Sequence, residues 1–217
     1  MTEKENFEKV YETPGAVWTR ESPPAELAEL VESGKLKPCK VLDVGCGEGF
    51  YSIYLASKGF DVLGIDLSEN AVKYAKENAE KAGVNVRFKV MDLKDLLELN
   101  ERFDFVLEWA ILHCIAFEKR QKYIENVRDI LNSNGKYLSF CFNEQDPKFG
   151  KPAEKIRVVS AGERAPIGNK LYVSSMEELR ELFEPYFNII ENKIIKRVIG
   201  GGKSRESISN YFFMEKK

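Results

Sequence analysis

The chain has 217 residues, 43% hydrophobic and 31% charged, with a formal net charge of −2. That length suits one well-buried α/β domain better than two, and the near-neutral balance argues against a dedicated nucleic-acid binder, which would carry a basic excess. The opening Met-Thr-Glu-Lys-Glu-Asn lacks the apolar core of a secretory signal, and the longest mostly apolar stretch, Val106 to Phe117, is interrupted by Glu108 and His113 and too short to span a bilayer.

In chain order, the first residues are charged and read as a mobile or loosely packed arm. "PPAELAELVESG" predicts a helix, with proline at its start, Leu27, Leu30 and Val31 at helical spacing, and Gly34 to stop it. "CKVLDVG" is a short buried strand, Phe50 to Ser57 has helical spacing, and "FDVLGID" is a second strand. Ser68 caps a helix running to about Ala82. "VRFKVMD" and "RFDFVLEW" are the third and fourth strands, a helix follows from about Glu118 to Leu131, and after the turn "NSNG" comes the strand "KYLSFCF". Strands alternating with helices predict a parallel sheet covered on both faces. Asn143 to Val173 fits no period, and so long a loop in a compact domain is expected to be a functional lid. "YFNIIENKIIKRVI" and "SISNYFFMEK" are joined by "GGGKSRE", too short for a parallel crossover, so they should form an antiparallel hairpin.

The first strand ends in "DVGCGEG", with Gly45, Gly47 and Gly49 on alternate positions. A dinucleotide site wants G-x-G-x-x-G with its pyrophosphate on the helix N-terminus. Here Phe50 occupies the third glycine's place, and Asp43 would repel a phosphate while suiting a cationic ammonium group. Asp66 ends the second strand, where a carboxylate accepts from both hydroxyls of an adenosine ribose. Asp92 ends the third, flanked by Met91 and Leu93, where it can accept from an exocyclic amine while its neighbours sandwich a purine. Amine, ribose and adenine describe S-adenosylmethionine rather than NAD. Each residue also has a plainer reading, as tight-turn glycine, helix cap, loop carboxylate or core filler.

The series "VLDVGCGEG", Asp66, "MDL" and "FDFVLEW" resembles the signature motifs of class I S-adenosylmethionine-dependent methyltransferases, from about Cys39 to Phe142. The resemblance implies an α/β fold with a Rossmann-like seven-stranded sheet, helices on both faces and the last strand antiparallel. It implies a cofactor site of Asp43, Gly45, Gly47, Gly49, Asp66, Leu67, Met91, Asp92 and Leu93, with Glu108 at the rim and S-adenosylhomocysteine as product. The flanks resemble most the thiopurine, thiol and halide methyltransferases. In that group an aromatic N-terminal segment precedes a Pro-rich helix start, here "VYETPGAVWTRESPPAELAELVESG". This implies that Trp18, and less directly Tyr11, folds over the cofactor. Tyr11 and Trp109 are also candidates for contact with the acceptor.

The division expected is one domain over 1–217: a cap arm and helix (1–36), a cofactor core (39–142), a lid (143–173) and a C-terminal helix and hairpin (174–217). A sulfonium methyl needs positioning, exclusion of water and, for some nucleophiles, removal of a proton. A thiol is substantially ionised near neutrality after modest help, whereas an alcohol needs a base. The expected acceptor is therefore a small molecule, a thiol or other soft nucleophile. The alternatives are an O- or N-acceptor with His113 as base, or a non-catalytic module that only binds the cofactor. Cys114 and Cys141 read as small core residues. The four cysteines form no C-x-x-C pair, so reduced thiols in the cytoplasm and no metal site are expected. Lys148, Lys151, Lys155, Arg157 and Arg164 read as solvated surface, and the protein as a monomer or homodimer with no nucleic-acid or membrane partner.

Overall fold

A computed structural model describes residues 2–16, 18–149, 155–158, 169–199 and 205–217. Its strands are β1 (Lys40–Val44), β2 (Asp61–Asp66), β3 (Arg87–Val90), β4 (Phe103–Trp109), β5 (Leu131–Phe142), β6 (Ile156–Val158), β7 (Lys170–Tyr172), β8 (Phe187–Ile199) and β9 (Arg205–Lys216). Its helices are α1 (Glu3–Val10), α2 (Ala25–Glu32), α3 (Phe50–Ser57), α4 (Glu69–Ala82), α5 (Phe117–Ile130) and α6 (Met176–Phe183). Seven strands form one sheet in the order β3-β2-β1-β4-β5-β9-β8. The first five run parallel, and β9 pairs antiparallel with both β5 and β8. This is the Rossmann-like seven-stranded sheet expected from the sequence, with the reversed strand where the short "GGGKSRE" connection required it; residues 200–204 of that connection lie outside the described residues.

Alternation along the central strands builds two cores. Leu42, Val44 and Val106 face α5, α6 and the 3₁₀ segment Leu93–Leu99. Val41, Phe105 and Leu107 face α2 and α3 on the other side. Strands buried on both faces are apolar almost throughout, which is why they read as continuous runs. The sheet order reverses direction between β1 and β4, so the loops leaving these two strands open a crevice at their C-terminal ends, where ligands bind in open α/β sheets.

Three expectations change. The first residues are not a loose arm: α1 begins with a full capping box, Thr2 and Glu5 each accepting the other's backbone N–H. The fifth strand starts at Leu131, with "NSNG" bulged inside it; the β4 ladder jumps from Phe103↔Leu131 to Phe105↔Lys136, and Asn134 takes φ 61°. Part of the 143–173 segment is ordered by pairing of β6 with β7, while residues 150–154 and 159–168, Lys151 and Arg164 among them, lie outside the described residues. Within it Lys148 is not simply solvated, its Nζ lying 3.4 Å from the Phe142 ring centroid, and Lys155 is ion-paired with Glu144 and Glu178.

Candidate cofactor and acceptor site

β1 delivers Asp43 to the crevice, and the chain then turns back on itself. The N–H groups of Gly45 and Cys46 both donate to the Ile65 carbonyl, at 2.8 and 2.9 Å. Gly45, Gly47 and Gly49 have φ of 70°, 53° and 81°, a left-handed conformation that side chains disfavour. Space is equally restrictive: a Cβ on Gly45 would lie 2.1 Å from Ile111 Cδ1, and one on Gly47 would lie 2.9 Å from the Tyr11 hydroxyl. Gly49 is also the N-cap of α3. The three glycines thus serve the turn itself, packed closely against Ile111, Tyr11 and Phe88.

Asp43 is 2% exposed and accepts from Ser52 Oγ at 2.6 Å. Burial pushes its carboxyl up to about 7 against the hydrogen bond from Ser52, and the charge of Asp66 adds to the rise. Asp66 closes β2 and accepts from the backbone N–H of Gly47 and of Ser68, each at 2.9 Å. Burial also raises its carboxyl, with those backbone bonds opposing. Leu67 is half-buried beside it. The two carboxylates predicted for an ammonium and a diol therefore stand at adjacent strand ends around one turn.

The third carboxylate is placed differently. β3 stops at Val90, and Asp92 caps the 3₁₀ segment that follows, accepting from the Lys94 N–H and pairing with its ammonium at 3.1 Å. Leu93 is half-buried there, while Met91 is a core residue packed in the cluster with Leu63, Ile65 and Leu96.

The last two residues of β4 need correction. Glu108 does not stand at a rim: it is 0% exposed, and its carboxyl accepts from Ile111 N–H and Leu112 N–H at 2.9 Å, Ser139 Oγ at 2.7 Å and Tyr137 Oη at 3.0 Å. Burial drives it up to about 7 despite these four donors. Its role is to hold the turn that presents Ile111 to Gly45. Trp109 points into the α2–α3 core, stacked on Phe140 at 4.0 Å and 3°, with the Arg197 guanidinium 5.8 Å from its ring. One face of the indole is therefore already taken by Phe140, which counts against a stacking role toward an acceptor.

His113 lies just beyond, 5% exposed, its ring 4.3 Å from that of Phe142 and its Nδ1 without a partner. Burial, then the charges of Lys148 and Arg120, lower its pKa well below 6.5. It is a neutral imidazole at physiological pH. Cys141 is a buried core residue and Cys114 a half-buried one, both as expected of small apolar side chains, and no disulfide joins the four cysteines.

The residue that sequence reasoning missed is Glu48, inside the glycine turn. It is 5% exposed and accepts from Gly15 N–H (3.0 Å), Ala16 N–H (3.0 Å) and Thr19 Oγ (2.6 Å). The segment it receives also carries Trp18, whose Nε1 donates to the Tyr11 hydroxyl at 2.7 Å. Tyr11, 3% exposed, has its phenol raised well above 10 by burial and by Asp66. No periodicity marks a glutamate between two glycines; the only signal was an acidic side chain in a turn otherwise made of small residues.

The residues present fit an S-adenosyl group: a left-handed glycine turn, Asp43 for an ammonium, and Asp66 for a ribose diol. Comparison with known proteins agrees. Residues 41–135 match the family described as "Methyltransferase domain". A 2-heptyl-1-hydroxyquinolin-4(1H)-one methyltransferase of Mycobacteroides abscessus is 30% identical over 128 residues, covering 58% of this chain and 56% of that protein. The chain spans about half the length of the curated relatives it matches. Among solved structures, a Burkholderia thailandensis 1,6-didemethyltoxoflavin-N1-methyltransferase with bound S-adenosylhomocysteine superposes with a TM-score of 0.74 at 21% identity, covering 99% of this chain and 87% of that one. A structure described by the conversion of a disulfide bond into a thioacetal group during echinomycin biosynthesis gives 0.76 at 21% identity, covering 99% and 93%. The sequence likeness to methyltransferases thus lies over residues 41–135, and the likeness to a methyltransferase fold extends over 99% of the chain. Among the described residues no helix is long and apolar enough to cross a membrane.

Proposed function

We propose that the chain is a methyltransferase that moves the methyl group of S-adenosylmethionine to a small-molecule acceptor whose reacting atom is soft or already ionised, a thiol above all. When bound, the cofactor supplies an electrophilic methyl on a sulfonium leaving group. The protein's part is positioning: Asp43 holds the ammonium end, the Gly45–Gly49 backbone carries the chain between, and Asp66 receives the ribose hydroxyls. Asp92 and Leu93 border the base. Tyr11, its hydroxyl against Gly47, and Trp18, bonded to that hydroxyl, shield the site from water, as the resemblance to the thiopurine, thiol and halide group implies. The described part of the 143–173 segment flanks the acceptor side. Four cysteines with no disulfide among them suit a reducing cytoplasm.

One observation carries the choice of acceptor. His113, the one histidine of the chain, is buried, neutral and flanked by Lys148 and Arg120. Such an imidazole takes up a proton poorly at neutral pH, so it makes a weak general base, while the two cations favour an anionic nucleophile. The rival reading, an O- or N-acceptor deprotonated by His113, draws on the same residue's unpartnered Nδ1. The names of the similar proteins span a hydroxyquinolone, a ring nitrogen and sulfur chemistry. The test is release of S-adenosylhomocysteine across a panel of thiols, phenols and heteroaromatic amines, with wild type and His113→Ala. Turnover of thiols retained in the variant supports this reading. Turnover confined to phenols or amines and lost in the variant replaces it with the rival. Tight cofactor binding with no product from any acceptor points to a non-catalytic binding module.

A further inference from the structure

The segment before α2 is attached to the glycine turn and to the start of α4 by two carboxylates that work in opposite directions. Glu48, from the turn, receives Gly15 N–H, Ala16 N–H and Thr19 Oγ of the N-terminal segment. Glu8, from α1, receives Ser68 Oγ (3.0 Å), Glu69 N–H (2.5 Å) and Asn70 N–H (3.3 Å) at the start of α4, directly after Asp66. Between these two points lies Tyr11, its hydroxyl against Gly47 and bonded to Trp18. The neighbouring peptide joins the network too, for Gly47 N–H is the donor that holds Asp66. On the far side of α4, Asn78 Nδ2 donates to the Glu48 carbonyl at 3.0 Å, fixing the backbone from which the carboxylate projects.

This is more than a core anchor. A segment that served only to cover apolar surface would be held by apolar contacts, yet here the buried carboxylate sits on the loop meant to cradle the ligand. Backbone N–H groups of Gly15 and Ala16 that bond a buried carboxylate hold the strap in one conformation. Loss of the carboxylate frees the strap and leaves its donors unsatisfied.

We infer that Glu48 is a positioning residue for the cofactor: through Gly15, Ala16 and Thr19 it latches the N-terminal strap to the glycine turn, so that Tyr11 and Trp18 close over the bound ligand and set its rate of escape. The inference rests on the methyltransferase reading above and adds what that reading leaves open, namely which side chain ties the cover to the cradle. Glu8 is the second latch, at the other end of the cover. Cofactor therefore enters with the strap released, and the two carboxylates decide how long it stays.

The test compares wild type, Glu48→Ala and Glu48→Gln, using S-adenosylhomocysteine as the probe. Dissociation is followed by stopped-flow fluorescence from Trp18 and Trp109, and amide exchange of Gly15 and Ala16 is measured without ligand. Three lost charge-assisted bonds predict faster exchange at both amides and, for Glu48→Ala, dissociation faster by about tenfold or more. KM for S-adenosylmethionine should rise in step, with kcat at saturation altered far less, because Glu48 does not meet the reacting atoms. Glu48→Gln keeps one acceptor oxygen, so it should fall between. A merely structural role would lower the melting temperature and leave dissociation and KM at wild-type values in folded protein; that result overturns the inference while the methyltransferase reading stands. If Glu48→Ala does not fold, Glu48→Gln and Glu8→Gln decide the matter by the same two readouts. Wild type that binds neither ligand overturns the reading, and the inference with it.

Discussion

Asp43 offers the sharpest test of the cofactor site, because its charge should depend on the ligand. Burial holds its carboxyl at about 7, against an ordinary value of 3.8. At 1.36 kcal/mol per pH unit that gap is about 4 kcal/mol, the strain of keeping the carboxylate charged in the free protein. A ligand ammonium beside it favours the charged form, so binding lowers this pKa and releases a proton. The sign follows: affinity rises with pH up to about 7 and levels off above. With a free-state value near 7, the ionised fraction goes from about a tenth at pH 6 to about nine-tenths at pH 8, so Kd for S-adenosylhomocysteine should fall about tenfold. Ser52 on α3 and Asp66 on β2 face the same carboxyl, and Asp66 also titrates upward from its usual range. Asp43→Asn separates the two: its Kd should be weaker and nearly flat over this range. Titration calorimetry in two buffers of different ionisation enthalpy counts the protons directly. Equal wild-type Kd at pH 6 and pH 8, with no proton released, would sink the argument that Asp43 meets an ammonium.

Glu108→Ala strands two backbone N–H donors, Ile111 and Leu112, that cannot turn to another acceptor. At about 1–3 kcal/mol for each buried donor, urea denaturation should show a loss of about 2–6 kcal/mol, and Glu108→Gln, which keeps one oxygen for both N–H groups, should lose much less. Gly45→Ala adds a Cβ into Ile111 and should abolish S-adenosylhomocysteine binding, whereas Gly83→Ala, at φ 66° but facing open space, should cost only conformational strain and leave binding intact. Calorimetry of both variants checks this, and equal affinity in Gly45→Ala would mean the ligand does not need that turn. For a thiol acceptor, His113→Ala should lower kcat by less than about threefold. A general base typically contributes 10²–10⁴, so a hundredfold loss would identify His113 as the base after all.

Much of this molecule was legible in order. Strands buried on both faces read as unbroken apolar runs, Ser68 marked a helix start with its side chain on the Ala71 N–H, and Gly83 ended the same helix in the left-handed conformation. The hairpin followed from a connection too short to cross over. The positions of Asp43 and Asp66 were legible because strand ends are fixed by the runs before them, and a carboxylate at a strand end has only one edge of the sheet to occupy. These are local signals, set by propensity and period within a few residues.

What sequence could not supply were the partners of side chains far apart in the chain. Glu108 read as a rim residue because it follows an apolar strand at the ligand edge. Only the pairing of β4 with β5 brings Tyr137 and Ser139 to it and makes it a buried pin. Trp109 looked available until that same pairing stacked Phe140 on it. The charged N-terminus read as loose, since α1 alone has little apolar surface; it is ordered because Glu8 finds the start of α4, more than 60 residues away. Glu48 had no pattern to betray it. A turn's sequence determines where its backbone goes, but which distant N–H groups a carboxylate will meet is decided when the whole chain has closed around it.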